Sequence, residues 1–87
     1  MSQIELRHLR TLVALRDSGS LVEAAEQVHL TQSALSHQMK ELETRVGCAL
    51  FVRKTRPVRF TTAGTRLLSL ADQTLPLVHS AELDLQR

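Results

Sequence analysis

The residues best suited to recognition chemistry in this chain are four short polar side chains, Gln32, Ser33, Ser36 and His37. Residues at this spacing fall on one side of a helix. Each side chain can donate or accept hydrogen bonds, and a glutamine amide can pair with both N6 and N7 of adenine. The pattern therefore predicts a helix face suited to base edges in the major groove of duplex DNA.

Two short helices joined by a tight turn are predicted to position this face. The first begins after Ser20, which forms a capping box with Glu23. Thr31 is the predicted N-cap of the second helix. The apolar series on the two helices are Leu21, Ala24, Ala25 and Val28, and then Leu35, Met39, Leu42 and Val46. An earlier helix over residues 5–17 completes a three-helix core. This pattern indicates a helix-turn-helix, although two ordinary amphipathic helices with a solvated polar side would share it.

A hairpin with a cationic tip is predicted directly after these helices. The β-prone runs 50–52 and 58–61 flank a turn that contains Pro57, a residue without a backbone N–H. A guanidinium suits the narrow minor groove, where negative potential is concentrated. The cations at the tip are Arg53, Lys54 and Arg56. The hairpin is typical of a winged helix-turn-helix, and a basic surface loop kept for solubility is the alternative.

The last third of the chain is predicted to form one long helix that begins after Thr61. Its apolar residues repeat in heptad-like steps, and a second apolar series runs beside them. One body of this size does not readily cover two such stripes, so we expect a second chain to bury part of them. The residues assigned to this dimer interface are Leu68, Ala71, Leu75, Val78 and Leu85. Pro76 is predicted to kink the helix, and a helix folded back on its own domain is the alternative.

Composition narrows the classes of function. The chain has 87 residues, and residues 31–60 hold six Lys or Arg against two Glu, as expected of a phosphate-binding surface. The lack of Trp and Tyr disfavours stacking on single-stranded nucleic acid. No apolar run has membrane-spanning length and the histidines lack metal-ligand spacing, so we predict no membrane partner and no metal site. Nothing in the sequence supplies an oxyanion hole or an enclosed pocket, so we predict no enzyme activity. Cys48, the sole cysteine, is expected to be a small buried thiol in a reducing cytoplasm.

The order of these parts resembles the N-terminal domain of bacterial LysR-type transcriptional regulators. The matching segments lie within residues 4–70 and include 6–9, 19–21, 30–36, 50–53 and 61–64. Ser33 and His37 depart from the family pattern, in which proline and arginine are common at these positions. The resemblance implies a mainly α fold, with a winged helix-turn-helix over residues 1–61 and a dimerising linker helix over residues 62–87. On this resemblance, the effector-binding domain of such a regulator is expected to be absent from this chain.

The resemblance also implies roles for individual residues. The implied base readers are Gln32, Ser33, Ser36 and His37. The implied phosphate contacts are Thr31, Lys40, Lys54 and Arg56. Arg53 is the residue that the resemblance implies for insertion into the minor groove.

The partner implied by the resemblance is double-stranded DNA with an inverted repeat, bound by a homodimer. A full-length protein would form a tetramer and contact RNA polymerase. Residues 32–38 and 50–54 are similar to the LysR-type regulators of methionine biosynthesis. That similarity implies half-sites TGAA and TTCA, with homocysteine as the effector of the missing domain and no cofactor in this chain.

Two other classes of protein would share parts of this sequence pattern. A dimeric protein-interaction module could use the basic face on an acidic partner, without sequence-specific DNA reading. An architectural DNA binder would also lack sequence preference, but it usually needs apolar wedges that this hairpin does not carry. Different affinities for cognate and random DNA would exclude both.

Overall fold

Four helices and one short hairpin follow each other along the chain. The computed structural model describes residues 3–87, so the first two residues of the predicted 1–61 domain lie outside it. The elements are α1 (Leu6–Ser18), α2 (Leu21–Gln27), α3 (Gln32–Val46), β1 (Phe51–Val52), β2 (Arg59–Phe60) and α4 (Thr62–Leu85). The predicted mainly α fold, a winged helix-turn-helix followed by a long helix, is confirmed.

Hydroxyl side chains begin three of the four helices. Each accepts a hydrogen bond from the backbone N–H three residues later, which satisfies one of the free donors at a helix start. The pairs are Ser20 with Glu23 at 3.1 Å, Thr31 with Ala34 at 3.0 Å and Thr61 with Gly64 at 3.1 Å. The predicted return contact from Glu23 to the Ser20 amide is wrong, because that amide donates to the Ser18 hydroxyl at 3.3 Å.

The core forms where α1 crosses the other three helices. The apolar series predicted for α2 and α3 supply Ala24, Ala25, Leu35, Met39 and Leu42 to it. Gly64 in α4 lies so close to β1 that a Cβ there would overlap the carbonyl oxygen of Leu50. This contact requires glycine and brings the start of α4 against the hairpin.

The long helix α4 belongs to the core over its first half only. Leu68 and Ala71, which the sequence analysis assigned to the dimer interface, are 6% and 0% exposed within the single chain. That assignment is wrong for both residues, because they pack on the chain's own core. The core therefore crosses the predicted division between residues 1–61 and 62–87. Beyond Pro76 the helix continues to Leu85 as predicted.

The connection between α3 and β1 contains Cys48, and the prediction that this thiol is buried is wrong. Gly47 ends α3 in the left-handed conformation, with φ of 81°, and turns the chain away from the core. Cys48 and Ala49 follow on the surface, and burial resumes only at Leu50. Cys48 is therefore exposed rather than buried. Within residues 3–87, none of the helices is both long and apolar enough to cross a membrane.

Candidate nucleic-acid interface

The outward side of α3 carries the predicted base readers. Gln32, Ser33 and His37 are exposed and Ser36 is half-buried. The opposite side of the helix is anchored by Leu35 and Met39, which are fully buried. The 3.6-residue period of the helix produces this division, since the apolar and polar positions alternate in step with it. Thr31 and Lys40, predicted to contact phosphate, are exposed at the start and middle of the same helix.

A buried polar contact joins α3 to α1. The Thr11 hydroxyl lies 2.6 Å from Oε1 of Gln38 and 3.0 Å from the backbone oxygen of Arg7. Thr11 is 1% exposed and Gln38 is 9% exposed. A buried polar group that lost its partner would be destabilising, so this contact disfavours rotation of α3 about its own axis. Rotation would move the outward side chains, and the contact therefore fixes the direction in which they point.

A network of ion pairs holds the start of α1 against α3. Glu5 accepts from Arg7 at 3.1 Å and from Arg45 at 2.7 Å, and Arg7 also donates to Glu41 at 3.0 Å. These hydrogen bonds, first from Arg7 and then from Arg45, lower the pKa of Glu5 to about 2. The hydrogen bond from Arg7 likewise lowers the pKa of Glu41. Solvent reaches all four side chains, so the network guides orientation more than it stabilises the fold.

His8 lies beneath this network and is fully buried. Its Nδ1 accepts from the backbone N–H of Glu5 at 2.9 Å, and its Nε2 points toward Glu41 at 3.8 Å. Burial lowers the pKa of His8, and the nearby Arg7 contributes in the same direction. Nδ1 is therefore the acceptor, while the buried Nε2 has no hydrogen-bond partner among residues 3–87. Full burial at the junction of α1 and α3 assigns His8 a structural role.

The predicted hairpin forms an antiparallel pair beside the start of α3. Phe51 pairs with Phe60 and Val52 pairs with Arg59. A cleft of about 480 Å³ lies between the hairpin and the starts of α2 and α3. Its lining includes Gln32, Lys54 and Arg56. The structure thus brings the predicted base reader Gln32 and two predicted phosphate contacts to one concave surface.

Arg53 differs from the other cations at the tip of the hairpin, because it contacts the chain itself. Its Nη2 lies 2.9 Å from Oε1 of Glu43, and its guanidinium carbon lies 4.5 Å from the centre of the Phe51 ring. Its side chain is 32% exposed, whereas Lys54 and Arg56 are both exposed residues. Glu43 is not among the predicted site residues, although it is one of only two acids in residues 31–60 and so stands out by charge.

The geometry assembles groups for recognition and none for metal chemistry in the described part of the chain. Residues 3–87 contain no cluster of three or more His, Cys, Asp or Glu side chains that could hold a metal ion. What they do contain is an outward α3 side of hydrogen-bonding groups, next to a hairpin whose tip is cationic. Both features recur in proteins that bind duplex nucleic acid.

Comparison with known proteins identifies the family. Residues 6–65 match the sequence profile described as "Bacterial regulatory helix-turn-helix protein, lysR family". The chain belongs to the LysR family. This confirms the resemblance found in the sequence, and the matched segment contains α1 to β2 and the start of α4.

Curated members of the family include several regulators named MetR. The chain is 55% identical to the HTH-type transcriptional regulator MetR of Haemophilus influenzae over 84 residues, which is 97% of this chain and 27% of that protein. It is 58% identical to MetR of Escherichia coli strain K12 over 78 residues, covering 90% of this chain and 25% of that protein. The chain thus spans about a quarter of the length of these relatives.

Solved structures of the family share the fold. The DNA-binding domain of BenM, in a complex with the catB site 1 DNA, superposes with a TM-score of 0.85 at 34% identity, covering 97% of this chain and 90% of that one. The DNA-binding domain of CbnR, also solved with DNA, gives a TM-score of 0.82 at 29% identity over 95% of each chain.

Proposed function

We propose that this chain is the DNA-binding portion of a LysR-type transcriptional regulator and that it reads duplex DNA sequence-specifically as a homodimer. The observation that carries the proposal is the outward side of α3, with its hydrogen-bonding groups beside the cationic hairpin. The BenM and CbnR domains, which share the fold, were solved in complexes with DNA, and this supports the proposal.

The proposed division of labour follows residue chemistry. Gln32 reads a base through its amide, which can pair bidentately with adenine, and Ser33, Ser36 and His37 make shorter contacts beside it. Charged and hydroxyl groups position the protein on the backbone without reading sequence. The residues proposed for the backbone are Thr31, Lys40, Lys54 and Arg56, with Arg53 proposed for the minor groove.

Dimerisation is proposed because the second half of α4 is covered only in part by the rest of residues 3–87. Leu77 and Leu85 are 72% and 85% exposed, while Leu75 and Val78 are half-buried. A two-fold pair of chains would cover these side chains and would present two α3 helices to an inverted repeat. The interface proposed now consists of Leu75, Leu77, Val78 and Leu85, without Leu68 and Ala71.

The proposed target class is the genes of methionine biosynthesis. Identity of 55% and 58% to the two MetR proteins supports this, since the aligned stretches are long enough to include the whole of α3. On the same resemblance, homocysteine would act on a portion of the protein outside this chain. Tetramer formation and contact with RNA polymerase are proposed for the complete regulator in the same way.

Fluorescence anisotropy at physiological salt tests the function directly. We expect a duplex with TGAA facing TTCA to bind at least about tenfold more tightly than a scrambled duplex, a difference of about 1.4 kcal/mol. Gln32→Ala should cost about 1–3 kcal/mol on the cognate duplex only, whereas Lys40→Ala should weaken binding to both duplexes similarly. Equal binding of the unmodified chain to both duplexes would exclude the proposed operator. Equal binding to all sequences in a random pool would exclude sequence reading and favour the interaction module.

A further inference from the structure

The carboxylate of Glu43 connects three parts of the interface. It projects from the last turns of α3, and its side chain is only 12% exposed. Oε2 accepts a hydrogen bond from the backbone N–H of Leu50 at 2.8 Å, directly before β1. Oε1 lies 2.9 Å from Nη2 of Arg53, directly after β1. One side chain therefore links the recognition helix to both ends of the first strand of the hairpin.

Arg53 is held on one edge and accessible on the other. Its Nη2 is buried against Glu43 as a close ion pair without an aligned hydrogen bond, and its guanidinium stacks near Phe51. About a third of the side chain is nevertheless exposed, at 32%. A planar guanidinium presents five N–H groups in a rigid fork, so holding one edge orients the remaining donors.

The negative charge of Glu43 is unexpected beside a surface proposed to bind DNA. A carboxylate near a DNA-binding surface repels phosphate, so it weakens binding unless it serves another purpose. Within residues 31–60 only Glu41 and Glu43 are acidic. Glu41 contacts Arg7 on α1, away from the hairpin. Glu43 is the acid that contacts the hairpin, and both of its oxygens are occupied there.

We propose that Glu43 is a positioning residue for the hairpin: it sets the angle of β1 to α3 and aims the free edge of Arg53 into the minor groove beside each half-site. Specificity would then extend beyond the bases under α3, to flanking positions read through the width of the minor groove. This inference rests on the proposed DNA-binding function.

The test compares Glu43→Gln with Glu26→Gln, which removes an equal charge from an exposed position on α2. Anisotropy titrations would use one TGAA–TTCA core with three flanks, made of A·T, G·C or inosine·C pairs. Inosine lacks the N2 amino group of guanine, so the inosine·C flank presents an A·T-like minor groove while keeping a G·C-like major groove. We expect the unmodified chain and Glu26→Gln to prefer the A·T and inosine·C flanks over G·C by about fivefold, or roughly 1 kcal/mol.

Glu43→Gln should lose most of this flank preference and still prefer the core to a scrambled duplex. A double-mutant cycle should show that Arg53→Gln removes little further preference once Glu43 is changed. If Glu43→Gln does not fold, judged by circular dichroism, Glu43→Asp serves instead, because its shorter carboxylate cannot reach both partners and should also lose flank preference.

Three results would overturn the proposal. Tighter binding of Glu43→Gln to all duplexes, with flank preference retained as in Glu26→Gln, would show that Glu43 acts by charge alone. A stronger preference for A·T flanks would show that Glu43 withholds Arg53 from DNA. Loss of core and flank preference together would show a general structural role. Failure of the proposed function gives a different result: the unmodified chain would not distinguish the core from the scrambled duplex. That result would contradict the positioning role as well.

Discussion

The two halves of α4 both carry apolar residues, but their surroundings are opposite. In the first half, Gly64, Leu68 and Ala71 are buried against the rest of the chain. In the second half, Leu77, Leu83 and Leu85 are 72%, 50% and 85% exposed. Apolar residues recur at helical spacing in both halves. The first half packs on the core of the chain, whereas most side chains of the second half are exposed, so one continuous helix serves the fold at one end and is open to solvent at the other.

Helical periodicity identifies an apolar stripe without identifying what covers it. The regular spacing of the heptad-like series through Leu68, Ala71 and Leu75 predicts a single interface. The structure divides the series near Leu75, which is half-buried at the transition. Burial by the chain itself depends on which other elements pack against the stripe, and that information lies in other parts of the sequence.

The largest expected effect is on the free energy of unfolding, and it distinguishes the two halves of α4. Leu68→Ala should lower the free energy of unfolding by about 2–5 kcal/mol, because it opens a cavity in a packed core. The matched variant Leu77→Ala should change it by no more than about 0.5 kcal/mol in the monomer, since an exposed side chain loses little. Urea denaturation at low protein concentration measures both. Similar losses for the two variants would mean that the second half of α4 is also part of the monomer core.

An intermediate effect is expected on assembly. Replacing Leu77 and Leu85 together by Asp should prevent dimerisation by placing charges in the apolar contact, and should leave the monomer folded. Affinity for the inverted repeat should fall by about tenfold or more, which is about 1.4 kcal/mol, while affinity for a single half-site should stay nearly constant. Sedimentation velocity and anisotropy report the two properties. A variant that remains dimeric would place the interface elsewhere.

The smallest effect concerns an exposed ion pair that joins the first half of α4 to α1. Arg16 donates to both oxygens of Asp72, at 2.9 and 3.0 Å, and these hydrogen bonds lower the pKa of Asp72 below its ordinary value of 3.8. A lowered folded-state pKa stabilises the fold above 3.8, and this contribution disappears as the pH falls through the folded-state value. Asp72→Asn should therefore be slightly less stable than the unmodified chain at pH 7.

The difference in stability between the two proteins should vanish in strong acid, where Asp72 of the unmodified chain is protonated and, like the asparagine, carries no charge. Thermal unfolding of both proteins between pH 7 and pH 2 would test this, with the difference between them as the readout. The comparison is necessary because Glu5 and Glu41, whose pKa values are also lowered, make both proteins less stable in acid. A difference that grows as the pH falls would contradict the assignment.

Local sequence signals were sufficient for most of the fold. The N-caps Ser20, Thr31 and Thr61 act within three residues of themselves, and the apolar faces of α2 and α3 follow from helical spacing. The outward position of Gln32 and its neighbours follows from the same spacing. For Cys48, a preference of the residue type for burial was outweighed by its place after a helix-ending glycine.

Contacts between distant residues could not be predicted in this way. Glu43 meets Arg53 only because the chain turns at Gly47 and the hairpin folds back beside α3. The contact between Thr11 and Gln38 spans 27 positions and depends on the angle at which α1 crosses α3. To predict such pairs, one must know how the helices and the hairpin are placed relative to one another, and neither composition nor periodicity gives that placement. The family resemblance supplied the order of the elements and not these side-chain contacts.

The contact between Thr11 and Gln38 has a consequence for how this domain can evolve. It orients α3 from the buried side, while Gln32, Ser33 and His37 lie outside the core. Substitutions at the exposed positions can therefore alter the preferred sequence with little loss of stability, because they leave the orienting contact intact. Duplicated copies of such a gene could acquire new operators by a few changes on one helix face while keeping the same scaffold.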